Sequence, residues 1–506
     1  MRHLMNGRFD VSTLGTGHRR EGIRCLASRL IVALGALVLT LHLSGPHAQA
    51  AGVPGLDKKL ETIVKRTLPE HFAISALVAD LETGQILMEM QPDRPLAPAS
   101  TMKAVTSAAA LSMLKPDFAF VTEVLSDKAE GSSLGTVYLK GTGDPYMVGE
   151  ELFALTRSLK DKGLQEITGD IVVDDSYFIP GKPLDEREEL GYRSYHAPYG
   201  ALSLNFNSIK ILIHPAARIG EPARVIMDPM SEYAVLNHSV KTVKGNASPR
   251  PSIRKAEGPG GGETIEVSGA IGVNAPSRSV YVNVSAPALY TGQVFKEYLL
   301  REGVKVSGKV VHGKPPRSAV PYLEFKSRPL GIITYWLNKF SNNFMAEQIC
   351  LALGAQVHGV PGTREKGLSV MRKHLLTCGV DEGSFSLSDA SGLSLSNKLS
   401  ASALVRVLLA AAHDFSYNAE FMSSLGISGV DGTLKEKFTD PDAKRRIRAK
   451  TGTLRGVNAL TGYGVSRDGR TIVFAVLVNS LKEGTGLVGY ADDIVRAVMD
   501  LPLRTR

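Results

Sequence analysis

Two strand-like stretches stand at opposite ends of this chain, and that arrangement limits the folds it can adopt. "FAISALVADLETGQILMEM" (72–90) alternates apolar residues on either side of "ETG", which predicts two strands around a turn. "RIRAKTGTLRGVNALTGYGVSRDGRTIVFAVLVNS" (446–480) reads as two strands joined across "SRDGR". Helical spacing of three and four lies before the second stretch, in "LGIITYWLNKFSNNFMAEQICLALGAQ", "GTREKGLSVMRKHLLTCGV" and "SASALVRVLLAAAHD", and after it in "GYADDIVRAVMDL". From 121 to 320 the chain is β-rich, with "GTVYLKGTGDPYM", "ITGDIVVDDSYF", "SIKILIHP" and "SVYVNVSAP". Within it "GNASPRPSIRKAEGPGGGE" (245–263) is so rich in Gly, Pro and Ser that it reads as loop. The pattern predicts one mixed α/β domain interrupted by a long insertion. A chain of 506 residues is longer than one core usually supports, which agrees.

The N-terminus reads as a targeting segment. Six arginines between Arg2 and Arg29 precede the apolar run "LIVALGALVLTLHL", and "SGPHAQA" supplies small residues for cleavage after Ala50. The run is shorter than the roughly 20 residues that cross a bilayer, so residues 1–50 are expected to be a cleaved signal peptide, with no stable transmembrane anchor. Loss of these residues removes the six arginines and two acids, Asp10 and Glu21, leaving +5 of the formal +9. So mild a charge suits an acidic wall polymer as well as nucleic acid. No arginine-rich tract or basic-aromatic interleaving of the single-strand-binding kind is present, and no nucleic-acid partner is expected. No metal-ligand spacing appears, so neither a metal nor another cofactor is expected. Cys25 leaves with the signal. Cys350 and Cys378 remain, in apolar helical stretches that suit a disulfide or two buried thiols equally.

Three short elements carry chemistry. Ser100-x-x-Lys103 opens an apolar helical run, "PLAPASTMKAVTSAAALSML". The pattern occurs three times in the chain and has a plain reading: Ser100 as helix N-cap, Lys103 solvated, and Met102, Val105, Ala109, Leu111 and Met113 facing the core. Ser341-Asn342-Asn343 falls at a break between helices. Lys450-Thr451-Gly452, followed by Thr453, occurs once and lies on a strand leading into a glycine turn. The G-x-S-x-G match at Gly131–Gly135 lies in the β-rich stretch and is followed by the strand-like "TVYLK" and not by a helix, which argues against the nucleophile elbow of a Ser-His-Asp hydrolase.

In this order the three elements form the signature of penicillin-binding proteins and serine β-lactamases. The chain resembles the class C, low-molecular-mass penicillin-binding proteins (penicillin-binding protein 4 type, peptidase family S13), which are D-alanyl-D-alanine carboxypeptidase/endopeptidases. "LKGTGDPYM", "GDIVVDDSYF", "APYGALSLNFNSI", "FSNNFMAEQI", "SGVDGTLKEKF" and "AKTGTLRGVNALTGY" resemble family segments in family order. In "DASGLSL" (389–395), Ala390 and Leu395 stand where relatives tend to carry Gly and Arg, which removes any substrate contact made through that arginine.

The resemblance implies a penicillin-binding catalytic domain with a mainly antiparallel sheet flanked by helices, formed from 51–120 and 321–506. It also implies an inserted domain from 121–185 and 265–320 and a further β-rich domain from 186–264. A serine hydroxyl needs a neighbouring base, and Lys103 lies one turn along on the face of Ser100. Lysine acts as base only when neutral, which burial and a cation such as Lys450 favour. Ser341 would relay the proton to the departing amine, and Asn343 would hold Lys103 and the substrate peptide. Lys450, Thr451, Gly452 and Thr453 would bind substrate, with the cation and the Thr451 hydroxyl on the terminal carboxylate. Backbone N–H groups of Ser100 and Thr453 would form the oxyanion hole. The implied partners are peptidoglycan stem peptides and cross-links, with β-lactams as covalent inhibitors, and the implied location is the periplasm. A serine β-lactamase or esterase on the same core, or an inactive wall-binding protein, are the alternatives.

Overall fold

The computed structural model describes residues 71–184, 191–246, 251–482 and 489–500. The signal peptide expected at 1–50 lies outside the described residues, as does 51–70 of the expected catalytic segment.

The distant hairpins form one sheet. Its six strands run in the order Gly426–Ile427, Ile447–Leu454, Val457–Val465, Thr471–Ser480, Phe72–Asp80 and Ile86–Met90. All neighbours are antiparallel. Phe72–Asp80 pairs with Thr471–Ser480 over its whole length, from Phe72 opposite Ser480 to Asp80 opposite Ile472. The second stretch, read as two strands, contains three. The first, Ile447–Leu454, folds back through Arg455 and Gly456, and Gly456 takes φ +75°, which suits a residue without Cβ.

Alternation places the two faces of this sheet in different cores. Ile74, Ala76 and Val78 pack with Ile494, Val495 and Val498 of the helix Tyr490–Met499. Ala73, Leu77 and Ala79 pack with Met102, Val105, Leu404 and Leu408 on the other face. Burial on both faces explains why Phe72–Asp80 is apolar almost throughout. The helix Met102–Leu114 is itself buried on every side from Met102 to Leu111, Lys103 included, while Met113 is exposed. The one-sided core face expected for this helix therefore does not describe it. It lies inside the domain.

The intervening chain builds the other sheets. Val121–Ser126, Val137–Gly141, Ile171–Asp174, Val310–His312 and Val320–Lys326 form a five-stranded mixed sheet, parallel at its Ile171–Asp174 pairings. Ser208–His214, Arg224–Asp228 and Arg278–Asn283 form one three-stranded sheet; Ala234–Val243, Ser252–Glu257 and Glu263–Gly272 form another. Ser252–Glu257 lies in the stretch read as loop; its backbone is claimed by six pairs with Glu263–Gly272. Two expected boundaries fall inside strands. The division at 264/265 cuts Glu263–Gly272, whose partners lie at 234–257, and the division at 320/321 cuts Val320–Lys326, which pairs with Val121–Ser126. Backbone pairing joins residues 265–272 to the strands at 234–257 and Val320–Lys326 to Val121–Ser126.

Candidate active site

The helix Met102–Leu114 is preceded by a 3-10 turn, Ala99–Thr101, and Ser100 sits inside that turn. No side chain caps either element, so Ser100 is not the N-cap that its position suggested. Thr101 uses its hydroxyl on the Pro98 carbonyl, 2.7 Å away. The Ser100 hydroxyl instead meets the Lys103 amine at 2.9 Å.

Packing explains why the turn can hold this shape. Ala99 has φ +48°, a left-handed conformation that costs an ordinary residue about 1–2 kcal/mol. Two glycines close on it. Gly392 has φ +79°, and a Cβ there would overlap the Ala99 carbonyl oxygen. A Cβ on Gly452 would come within 2.6 Å of the Pro98 carbonyl oxygen. Gly452 thus lets the strand Ile447–Leu454 lie against the Ser100 turn.

Lys103 is fully buried and has three acceptors: Ser100 Oγ at 2.9 Å, Asn343 Oδ1 at 2.7 Å and the Ser391 carbonyl at 2.6 Å. Burial pulls its pKa from 10.5 down to about 7, against the opposing charges of Asp389 and Glu347. A neutral amine has two N–H groups and one lone pair. With the N–H groups on Asn343 and Ser391, the lone pair faces Ser100.

Ser341 and Asn343 come from the junction of two helices, Leu330–Phe340 and Asn343–His358. Ser341 ends the first in the left-handed region, φ +56°, and Asn342 caps the second by accepting from the Met345 N–H. The reversal turns Ser341 toward the sheet, where its Oγ lies 2.9 Å from Lys450 Nζ.

Lys450 is fully buried. Its other acceptor is the Thr451 carbonyl at 2.8 Å, and no salt bridge to a described carboxylate is present. Desolvation first, and the charge of Lys103 second, push its pKa well below the ordinary lysine value. A bound carboxylate would supply the missing countercharge. Thr451 donates to Thr433 Oγ1 at 2.8 Å. Thr433 follows Asp431, which accepts from Lys339 through both oxygens at 2.8 Å.

The structure therefore brings Ser100, Lys103, Asn343, Ser341, Lys450 and Thr451 into one cluster, with Gly452 packed beneath it. Thr453 stands apart: its side chain is exposed and makes no hydrogen bond among the described residues. The sequence reading missed the Ser391 carbonyl, Glu347 and Thr433, although Glu347 and Thr433 lie within segments that carried the resemblance and Ser391 lies in "DASGLSL", the segment that departs from it. A cleft of about 920 Å³ reaches Ser341, Asn343 and Phe344 and is also lined by Phe206, Tyr298 and Arg301. Cys350 and Cys378 are buried free thiols, which answers the question left open above. No helix among the described residues is long and apolar enough to cross a membrane.

The chain is 32% identical over 485 residues to a D-alanyl-D-alanine carboxypeptidase of Actinomadura sp. (strain R39), covering 91% of this chain and 88% of the relative. It is 24% identical over 467 residues to the D-alanyl-D-alanine carboxypeptidase DacB of Haemophilus influenzae, covering 90% of this chain and 94% of that one. The crystal structure of penicillin binding protein 4 (dacB) from Haemophilus influenzae superposes with a TM-score of 0.72 at 22% identity, covering 87% of this chain and 98% of the other, a likeness of fold. The model of the D-Ala-D-Ala carboxypeptidase 3 (S13) family matches residues 56–495, a span that holds every member of the cluster around Ser100. The chain belongs to the D-Ala-D-Ala carboxypeptidase 3 (S13) family.

Proposed function

We propose that this D-Ala-D-Ala carboxypeptidase acts on peptidoglycan stem peptides through an acyl-enzyme on Ser100, with Lys103 as the base. The observation that carries the reading is the setting of the Lys103 amine. It is buried, its pKa is pulled to about 7, and two acceptors besides Ser100 occupy its N–H groups. Lys103 takes the hydroxyl proton as Ser100 Oγ bonds to the carbonyl carbon of the penultimate D-alanine. Backbone N–H groups of Ser100 and Thr453 stabilise the oxyanion. As the C–N bond breaks, Ser341 passes a proton to the departing amine of the terminal D-alanine. Lys450 and Thr451 hold that residue's carboxylate, and Asn343 holds both Lys103 and the substrate amide. Water then hydrolyses the ester by the reverse proton path.

The cleft that reaches Ser341 and Asn343 supports a second use of the same chemistry, cleavage of peptide cross-links whose acceptor strand lies along it. β-Lactams would acylate the same serine. The arginine-rich start, the apolar run and "AQA" support export to the periplasm. Mass spectrometry of muropeptides incubated with the purified protein tests the reading. Loss of terminal D-alanine, and conversion of dimers to monomers for the endopeptidase arm, is expected. Intact pentapeptides after incubation with folded protein overturn it. N-terminal sequencing from an expressing bacterium tests export, with a start near Ala51 expected and an intact arginine-rich start overturning it.

A further inference from the structure

Lys103 is aimed by a carbonyl that belongs to neither of its signature partners, and the Ser391 carbonyl is itself held in place. On the helix Asn343–His358, Glu347 is buried, and its Oε1 accepts the backbone N–H groups of Ala390 at 3.1 Å and Ser391 at 2.9 Å. Arg364 lies behind it, 3.8 Å from Oε2. Asp389, at the start of the same turn, accepts from the N–H groups of Gly392 and Ser394, both at 2.6 Å, and from Asn397 Nδ2 at 3.0 Å. Two buried carboxylates therefore organise residues 389–397, and the product of that organisation is one carbonyl 2.6 Å from Lys103 Nζ.

We propose that Glu347 is a positioning residue for acylation: by gripping the Ala390–Ser391 backbone, it aims the Ser391 carbonyl at Lys103 and leaves the amine lone pair directed at Ser100. The proposal deepens the function proposed above and rests on Lys103 as the base. Asn343 and Glu347 sit one helical turn apart on a single helix. That helix thus supplies both acceptors of the amine, one directly and one through the turn.

The charge of Glu347 acts as well. The groups bearing on Lys103 are Asp389 and Glu347, and Lys450 and Lys103 face each other as like charges. Glu347 in turn faces Asp389 and Arg364, and its own pKa is raised to about 7, by burial first and Asp389 second. Ionised, Glu347 favours the ammonium form of Lys103. Its loss lowers the pH at which the amine becomes a base.

The test is the second-order rate of acylation by a fluorescent penicillin from pH 5 to pH 9, with wild type, Glu347→Gln, Glu347→Ala and Lys103→Ala. Glu347→Gln keeps an acceptor oxygen and drops the charge. Its plateau rate should stay within about threefold of wild type, while the rising limb moves about one pH unit toward acid. Glu347→Ala should show the same shift with a plateau at least about tenfold lower, because the turn is released and the amine misplaced. A merely structural role would lower thermal stability and leave the limb in place, so an unmoved limb in Glu347→Gln overturns the proposal. A wild-type plateau in Glu347→Ala also overturns it. If Lys103→Ala acylates at the wild-type rate, the base reading falls and takes the proposal with it; if that variant is inert and only the Glu347 outcomes fail, the base reading stands alone.

Discussion

Lys450 reaches across from the sheet to Ser341 at the helix junction, 2.9 Å from Nζ to Oγ, with no carboxylate among the described residues in a salt bridge to it. This buried amine has its pKa depressed by desolvation and by Lys103. In the proposed role an incoming carboxylate would offset that penalty and couple substrate binding to protonation of Lys450. Lys450→Ala should therefore cost acid-ended peptides about 10- to 100-fold in kcat/KM, the usual range for a charge-assisted hydrogen bond. Amide-ended analogues, which would lose only a neutral hydrogen bond's worth, should lose less, about tenfold at most. The comparison is made with paired peptides ending in D-alanine and D-alaninamide. Equal losses would sink the anchor role.

The left-handed Ala99 and the cluster around it make a second case. Gly392 combines φ +79° with a Cβ position that overlaps the Ala99 carbonyl oxygen. Gly392→Ala must displace either the 389–397 turn or the turn that carries Ser100. Both lie within one hydrogen bond of Lys103, so acylation should fall at least about tenfold. The added Cβ would also come within 3.0 Å of Met102 Cβ, in the core that packs on the sheet, so the thermal midpoint should drop by at least the few degrees that about 1–2 kcal/mol of left-handed strain produces. Penicillin-labelling rate and differential scanning calorimetry read the two effects. Unchanged acylation in Gly392→Ala would show that the contact is slack.

The parts of this site that a sequence can reveal are those carried by side-chain type at short spacing. Ser100 and Lys103 sit one turn apart, Ser341 and Asn343 flank one residue, and Lys450 and Thr451 are adjacent. Ser391 contributes a backbone carbonyl, which every residue possesses, so nothing in its identity points to it. Glu347 reads as one polar residue in an apolar helix, and its burial follows only from packing against a turn more than forty residues later. The cap reading of Ser100 failed because a cap and a nucleophile share the same local sequence. Within the fold, alternation exposed the terminal hairpins, since their period is local. The parallel pairing of Ala234–Val243 with Glu263–Gly272 has no local signal. Nor did Ser252–Glu257, hidden between prolines and glycines, announce a strand.

His374 offers a test of the packing away from the site. It is buried in the helix Arg364–Thr377, with Nε2 3.7 Å from Cys378 Sγ, and burial pulls its pKa from 6.5 to about 4. The neutral ring is favoured in the fold, so the unfolded chain binds its proton first as pH falls. Stability is full above pH 6.5 and is lost progressively down to pH 4, by up to about 3 kcal/mol from this one group. Urea midpoints measured from pH 7 to pH 4 should decline, and His374→Leu should flatten the curve over that window. An equally steep curve in the variant would assign the acid sensitivity elsewhere.

The fate of the acyl-enzyme separates a peptidase from a β-lactamase. A β-lactam keeps its leaving amine tethered after the ring opens, so the amine continues to obstruct water. Rapid hydrolysis of that ester needs a second base, placed for deacylation alone. Here the two carboxylates that bear on Lys103 are both committed: Glu347 to the N–H groups of Ala390 and Ser391, and Asp389 to those of Gly392 and Ser394. Asp431, beside Thr433, is held by Lys339. In the proposed mechanism free D-alanine, by contrast, diffuses away, and water would follow the Lys103 and Ser341 path in reverse. The protein should turn over D-Ala-D-Ala peptides repeatedly and be trapped by penicillin as an ester on Ser100. Intact-mass measurement after one equivalent of penicillin should show an adduct that persists for many minutes, absent in Ser100→Ala. An adduct that vanishes within seconds, while hydrolysed penicillin accumulates, would mean that a deacylating base operates here and that the cluster serves β-lactam hydrolysis.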